Sequence, residues 1–180
     1  MRAIAVIVLV GILSLPMDTQ AQQLKDWTDI DCAKSKILLP EGHGLRCRTV
    51  EYAPQDQGTS GGAFTRFNAY SRADSGKTTF YLLTEATIGG YVYSSGMLQV
   101  LKTFPAGKDA HSISEPLARD GINYLRFTAR TGENCVAARK LGPGHSMGYR
   151  WILIASHCGQ SAVTLAPQQE QAFMDTMRVR

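Results

Sequence analysis

Two serines stand in settings where a nucleophile is often displayed. Ser146 is the centre of Gly144-His145-Ser146-Met147-Gly148, a G-x-S-x-G pattern, and Ser60 lies in Gly58-Thr59-Ser60-Gly61-Gly62. A serine hydroxyl is a weak nucleophile until a base takes its proton. Either residue would therefore need a histidine nitrogen within about 3.2 Å. The histidines are His43, His111, His145 and His157, scattered along the chain. Acidic residues are sparse and none pairs with another at a telling spacing, so no general acid and base can be named.

Three segments resemble known catalytic motifs in part. The G-x-S-x-G pattern resembles the nucleophile elbow of α/β-hydrolases, which needs a strand before the serine and a helix after it. Here Lys140-Leu141-Gly142-Pro143 precedes and the strand-like Tyr149–Ser156 follows. The hydrolase order of serine, acid, histidine is also reversed, because Glu170 and Asp175 both follow His157. Trp151–Cys158 (WILIASHC) looks like the segment around the catalytic histidine of chymotrypsin-like proteases, and GTSGG looks like their serine segment. In that family the histidine comes first, whereas here Ser60 precedes His157, and Thr59 stands where the usual aspartate would be. Gly76-Lys77-Thr78 resembles the end of a phosphate-binding loop. Ser71 replaces its required first glycine, and the following Thr79–Leu83 reads as strand rather than helix. No catalytic residue is assigned.

Metal and cofactor chemistry have no better footing. No C-x-x-C or H-x-x-x-H spacing occurs, so no metal site and no cofactor is expected. The basic residues are more suggestive. Arg126, Arg130, Arg139 and Arg150, together with Lys140, fall on or beside three expected neighbouring strands, and Tyr124 shares a face with Arg126 and Arg130. If those strands are adjacent, Tyr124, Arg126, Arg130, Arg139 and Arg150 form a cationic stripe suited to forked contacts with carboxylate or phosphate. Tyr70, Tyr81, Tyr91 and Tyr93 form a second candidate, lining a ligand groove.

The frame that must position these residues is readable from composition. The chain has 180 residues, 44% hydrophobic, with 19% charged residues and 4 cysteines. That is enough for one core, and too apolar for a disordered chain. The net charge of +4 is mild and gives no case for nucleic acid. Residues 1–21 carry Arg2, an apolar run from Ala3 to Leu15, Pro16 and the small residues Thr19 and Ala21. This is the layout of a secretory signal, shorter than the roughly 20 apolar residues of a membrane span. Residues 22–180 are expected to form one exported domain without a transmembrane segment.

Export gives the four cysteines a structural role as disulfides. Four cysteines allow three pairings, and the near pairs Cys32–Cys47 and Cys135–Cys158 are favoured because close segments meet most easily.

Strands are expected over Leu45–Tyr52, Ala63–Tyr70, Thr78–Thr84, Tyr91–Tyr93, Ile122–Arg130, Cys135–Leu141 and Tyr149–His157. Val163 and Leu165 close the β region, and Pro105–Asp120 reads as loop. Gly96–Phe104 is ambiguous between helix and strand. Pro167 opens a helix with Ala172, Phe173 and Met177 on its apolar face. The fold class is thus α+β, a mainly antiparallel sheet with a C-terminal helix packed on it, stapled by disulfides.

The functional expectation is a small exported, non-enzymatic binding or accessory module, periplasmic or secreted, whose partner is an envelope component or another protein. The alternative is a small secreted serine hydrolase using Ser146 or Ser60.

Overall fold

The computed structural model describes residues 26–39, 44–52, 64–71, 78–87, 90–145, 147–161 and 164–180. The expected signal segment 1–21, Ser60, Ser146 and Val163 lie outside them. Among the described residues no helix is long and apolar enough to cross a membrane.

Alternating apolar and polar residues set the strands. They are β1 (Thr28–Ile30), β2 (Arg46–Tyr52), β3 (Phe64–Ser71), β4 (Thr78–Ala86), β5 (Leu117–Arg119), β6 (Ile122–Thr128), β7 (Glu133–Leu141), β8 (Gly144–His145), β9 (Gly148–Tyr149) and β10 (Trp151–Ser161). Eight of them form one sheet in the order β1-β2-β3-β4-β10-β7-β6-β5, and β8 pairs with β9 separately. Every neighbouring pair in the large sheet is antiparallel. β10 is the central strand. Its Ile152–Ser156 run is buried without a break, as befits a strand covered on both faces.

Directly opposed residues share a face of the sheet, so the register sorts every side chain. One face carries Ala69, Tyr81, Leu83, Tyr124, Val136, Ala138, Leu153 and Ala155. Helix α2 (Pro167–Asp175) covers it with Phe173 and Met174, joined by Met177 just beyond the helix. Pro167 occupies the first turn, where its missing N–H costs nothing, and the Gln169 side chain accepts from the Ala166 N–H. The C-terminal residues then run beside residues 36–38, with a bridge between Ile37 and Val179.

The opposite face carries Leu82, Leu125, Phe127, Cys135, Ala137, Ile152, Ile154 and Cys158. Helix α1 (Met97–Leu101) packs there through Met97, Val100 and Leu101, and Phe104 follows in the same cluster. Phe104 meets Phe80 of β4 edge to face, with ring centroids 5.7 Å apart.

Helix α1 and a 3-10 turn at Pro105–Gly107 belong to the long connection from β4 to the far edge strand β5. Arg139 tethers this connection. Its Nη1 donates to Ser94 Oγ at 2.6 Å and to the Ser95 carbonyl, and its Nη2 donates to Asn123 Oδ1 at 2.8 Å.

Both disulfides follow the near pairing, Cys32–Cys47 and Cys135–Cys158. Cys135 and Cys158 are directly opposed on β7 and β10, with Cα atoms 4.1 Å apart, close to the spacing of a non-hydrogen-bonded antiparallel pair. The first bond ties β2 to the 3-10 turn Cys32–Lys34 after β1. Disulfides and the lack of a membrane-spanning helix among the described residues are compatible with an oxidising compartment.

The α+β expectation holds only loosely. The sheet dominates, and two helices pack on it, one per face, rather than one. Gly96–Phe104 resolves as helix because Met97, Val100 and Leu101 follow an i, i+3, i+4 spacing toward the sheet. Tyr91–Tyr93 forms no strand and contributes one bridge, Val92 to Tyr149. Leu165 lies in an irregular segment. β1 and β5 were not expected, since each is a three-residue edge strand defined by its neighbour rather than by its own pattern. The buried series on α2 is Glu170, Phe173, Met174 and Met177, spaced i, i+3, i+4, i+7, while Ala172 is exposed. A polar residue at the first of those positions hides the true stripe from a search for apolar residues.

Two outcomes follow for stability. A Cβ on Gly107 would stand 2.0 Å from the Leu101 carbonyl oxygen. Gly107→Ala should therefore cost about 1–3 kcal/mol, read as a lower urea midpoint, because main chain must shift. Burial raises the Tyr81 phenol pKa above its ordinary value of 10.0, partly opposed by its hydrogen bond to Thr176. A raised folded-state value favours the protonated phenol. The associated stability is full below the unfolded value and is lost as pH rises through the folded one. Thermal stability should thus fall above pH ~10, and less steeply in Tyr81→Phe.

Candidate functional site

The five residues of the expected cationic stripe do not converge. Tyr124 is buried under α2, on the face that helix covers. Arg126 shares that face and closes on α2. Its Nε donates to Glu170 Oε2 at 2.7 Å and its Nη2 to Glu170 Oε1 at 2.9 Å. The Glu170 side chain is only 5% exposed against 53% for Arg126, and the bond to Glu170 holds the guanidinium pKa above its ordinary value.

Arg139 points to the opposite face and is consumed by Ser94, Ser95 and Asn123. Arg130 lies past the end of β6, 82% exposed, with Asp109 3.8 Å away. Arg150 sits between β9 and β10 and donates to the Thr87 carbonyl. The alternation that put Arg126 and Arg139 on strands is correct. Their registers send them to different faces, and α2 covers the one expected to be open.

The tyrosines also separate. Tyr81 faces α2 and bonds Thr176 Oγ1 at 2.7 Å. Tyr91 and Tyr93 contact each other in the β4–α1 connection, with centroids 6.1 Å apart. Tyr70, opposed to Phe80, is on the α1 face.

His157 lies on the α2 face, opposed to Thr79. Its Nδ1 is 2.8 Å from Thr79 Oγ1 and its ring stacks on Phe173 at 5.4 Å. The hydrolase reading gains no support from this, as Ser60 and Ser146 fall outside the described residues. Among the described residues no group of His, Cys, Asp and Glu is placed to hold a metal ion.

A small cavity of about 80 Å³ lies beside Arg126 and Glu170, and a larger concave feature is elsewhere. Helix α1 and Phe104 cover the α1 face over β10, β7 and β6 and reach Phe80 and Leu82 of β4. Beside them a groove of about 670 Å³ runs toward β2, within the range of small-ligand sites. Arg46 and Arg48 of β2, Tyr70 of β3, and Thr78 and Phe80 of β4 line it. So do Ser156 and Cys158 of β10 and, as a wall, Pro105 and Ala106. Each is placed by strand periodicity. Arg46 and Arg48 are two residues apart and opposed to Tyr70 and Asn68, which in turn oppose Phe80 and Leu82.

Arg48 is held rigidly. Its Nε donates to Asn68 Oδ1 at 2.8 Å, while Asn68 Nδ2 donates to the Tyr81 carbonyl at 2.7 Å. The Arg48 guanidinium carbon lies 4.7 Å from the Trp27 ring centroid and 5.2 Å from that of Tyr70. Stacking of this kind contributes about 0.5–1 kcal/mol at exposed sites.

Arg46 is exposed, and its side chain makes no hydrogen bond or ion pair among the described residues. Arg66 extends the cationic face, 5.4 Å from the Tyr52 ring. One acid, Asp29, is opposed to Arg48 on β1. Among the described strand residues of this face, Arg46, Arg48 and Arg66 thus outnumber the acid.

Of these residues Tyr70 was expected to line a ligand groove, whereas the β2 and β3 residues Arg46, Arg48, Arg66 and Asn68 were not singled out from sequence, though a signal existed. Arg46-x-Arg48 and Arg66-x-Asn68-x-Tyr70 both repeat with period two, the mark of one strand face. What sequence lacked was the pairing of β2 with β3.

No family model matches the chain, and no curated protein or solved structure matches it either.

The two kinds of arginine should behave differently on substitution. Arg126→Ala strands the nearly buried Glu170 and should cost about 1–3 kcal/mol in denaturant unfolding. Arg46→Ala should leave the unfolding midpoint within about 0.5 kcal/mol of the parent.

Proposed function

We propose that this protein is a small exported binding or accessory module, without catalysis of its own, acting in a periplasmic or extracellular setting. It engages an anionic partner, an envelope component or an acidic face of another protein, through the groove beside α1. The observation that supports this reading is the pairing of an uncommitted Arg46 with a pre-organised Arg48 in one cavity. Cations normally settle at the surface with water or a carboxylate. Here Arg48 is braced from three sides by Asn68, Trp27 and Tyr70, and that bracing removes much of the entropy lost when an arginine captures a ligand.

The test is retention of the protein on immobilised acidic envelope extract at low and moderate salt. Arg46→Ala/Arg48→Ala should bind at least about 10-fold more weakly with an unchanged fold by circular dichroism, and parent binding should weaken with salt. Undiminished binding by the double variant would place the interaction elsewhere. Turnover of an ester or peptide substrate, lost on Ser146→Ala or Ser60→Ala, would replace the module by the hydrolase.

A further inference from the structure

The groove holds a second polar feature. Ser156 is 4% exposed, at the centre of the sheet, and its side chain lines the groove. Its hydroxyl makes no hydrogen bond to any described residue. The residue is nearly buried but its oxygen is not among the fully enclosed unpaired atoms, so a polar group entering the groove can take the place of water at it. Directly beside it on the same face lie Phe80 and, on the opposed strand, Ala137.

The groove is therefore graded. At one end are Arg46 and Arg48, in the middle Tyr70 and Phe80, and at the deep side the Ser156 hydroxyl, with Pro105 and Ala106 as an apolar wall. Arg48 presents a defined edge. Asn68 takes its Nε, and Trp27 and Tyr70 lie against the guanidinium. What remains is the pair of terminal nitrogens, whose fork matches the two oxygens of a carboxylate.

We infer that the groove recognises a carboxylate-bearing sugar of an acidic polysaccharide. The carboxylate sits on the Arg48 fork with Arg46 beside it. The C–H face of the pyranose lies against Phe80 and Pro105, and a ring hydroxyl exchanges a hydrogen bond with Ser156 Oγ. Inorganic phosphate would satisfy the arginines and leave both the apolar wall and Ser156 unused. A flat protein face would not reach a hydroxyl this deep. The inference rests on the groove being the binding site proposed above.

The experiment is a titration of the ¹⁵N-labelled, disulfide-bonded protein with trisaccharides of galacturonate, glucuronate and mannuronate. Their methyl-esterified forms and inorganic phosphate are titrated alongside, with amide shifts mapped. At least one uronate trimer should shift Arg46, Arg48, Tyr70 and Ser156, and its ester should bind about 10-fold or more weakly. Arg48→Lys keeps the charge but removes the fork, and should weaken the uronate by a similar factor. Ser156→Ala should weaken it several-fold without altering phosphate binding.

Equal binding of ester and acid would overturn carboxylate recognition while leaving the groove as the site. Phosphate shifting the groove amides when no uronate does would overturn the sugar and keep an anion site. Silence of the groove amides toward every ligand, with an intact spectrum, would overturn both the inference and the function it rests on.

Discussion

The fold depends on where β10 pairs. β1–β4 and β5–β7 are two meanders, each closed by local hairpin or edge contacts, and neither has a reason of its own to meet the other. β10 supplies it by pairing with β4 along one side and β7 along the other. Its apolar run then lies in mid-sheet, and both faces there must be shielded from water. One is covered by α2, which follows β10 in the chain, and the other by α1 from the β4–β5 connection. The Cys135–Cys158 bond fastens β10 to β7, and closing a loop of this length is worth about 3 kcal/mol on chain entropy.

Unequal cover on the two faces creates the groove. Helix α2 spans the sheet from Tyr81 on β4 to Arg126 on β6, pinned by the Thr176 hydroxyl at one end and by Glu170 at the other. Lys140 adds a third tie, donating to the Met177 carbonyl just beyond the helix. Helix α1 has only five residues, and among the described residues its cluster extends from β6 no farther than Phe80 and Leu82 of β4. The boundary of its cover falls along β4 and β10, and there Phe80, Ser156 and Cys158 come to the surface of a cavity. The groove is thus the edge of the core on that face, with β2 arginines standing at its outer rim.

Arginine chemistry divides along the same line. Arg126 through Nε and Nη2, and Arg139 through its two terminal nitrogens, donate inside the molecule, one to fix α2 and the other to fix the approach to α1. Glu170 meets the Arg126 charge, neutral oxygens hold Arg139, and each serves the fold before any ligand. Arg46 has spent none of its donors and Arg48 only its Nε. A guanidinium braced at Nε and stacked on aromatic rings keeps its forked edge for something outside the chain. Which arginines can bind a ligand is decided by what else each one already bonds.

The local readings that succeeded were those with enough residues to average over. The seven- to eleven-residue strands β2, β3, β4, β6, β7 and β10 all showed in alternation or in an unbroken apolar run, and Pro167 marked the start of α2. Pairing of near cysteines was legible from spacing. The three-residue edge strands were not, because nothing in Thr28–Ile30 or Leu117–Arg119 distinguishes a strand from a loop until a neighbour offers hydrogen-bond partners. The apolar stripe of α2 was misassigned at Ala172 because Glu170, a carboxylate, occupies a buried position that only Arg126 makes tolerable.

By itself, then, the sequence determined an antiparallel, disulfide-stapled sheet protein with a C-terminal helix, since periodicity and cysteine spacing act over short stretches of chain. Only the tertiary structure decided which strand lies in the middle, which face each helix covers and which arginines are left uncommitted. A strand pattern reports that its residues alternate between two faces and is silent on which face will be buried. That choice is made by the pairing of β10 with β4, some seventy positions away, and it turned Arg126 inward while leaving Arg46 and Arg48 at an open groove.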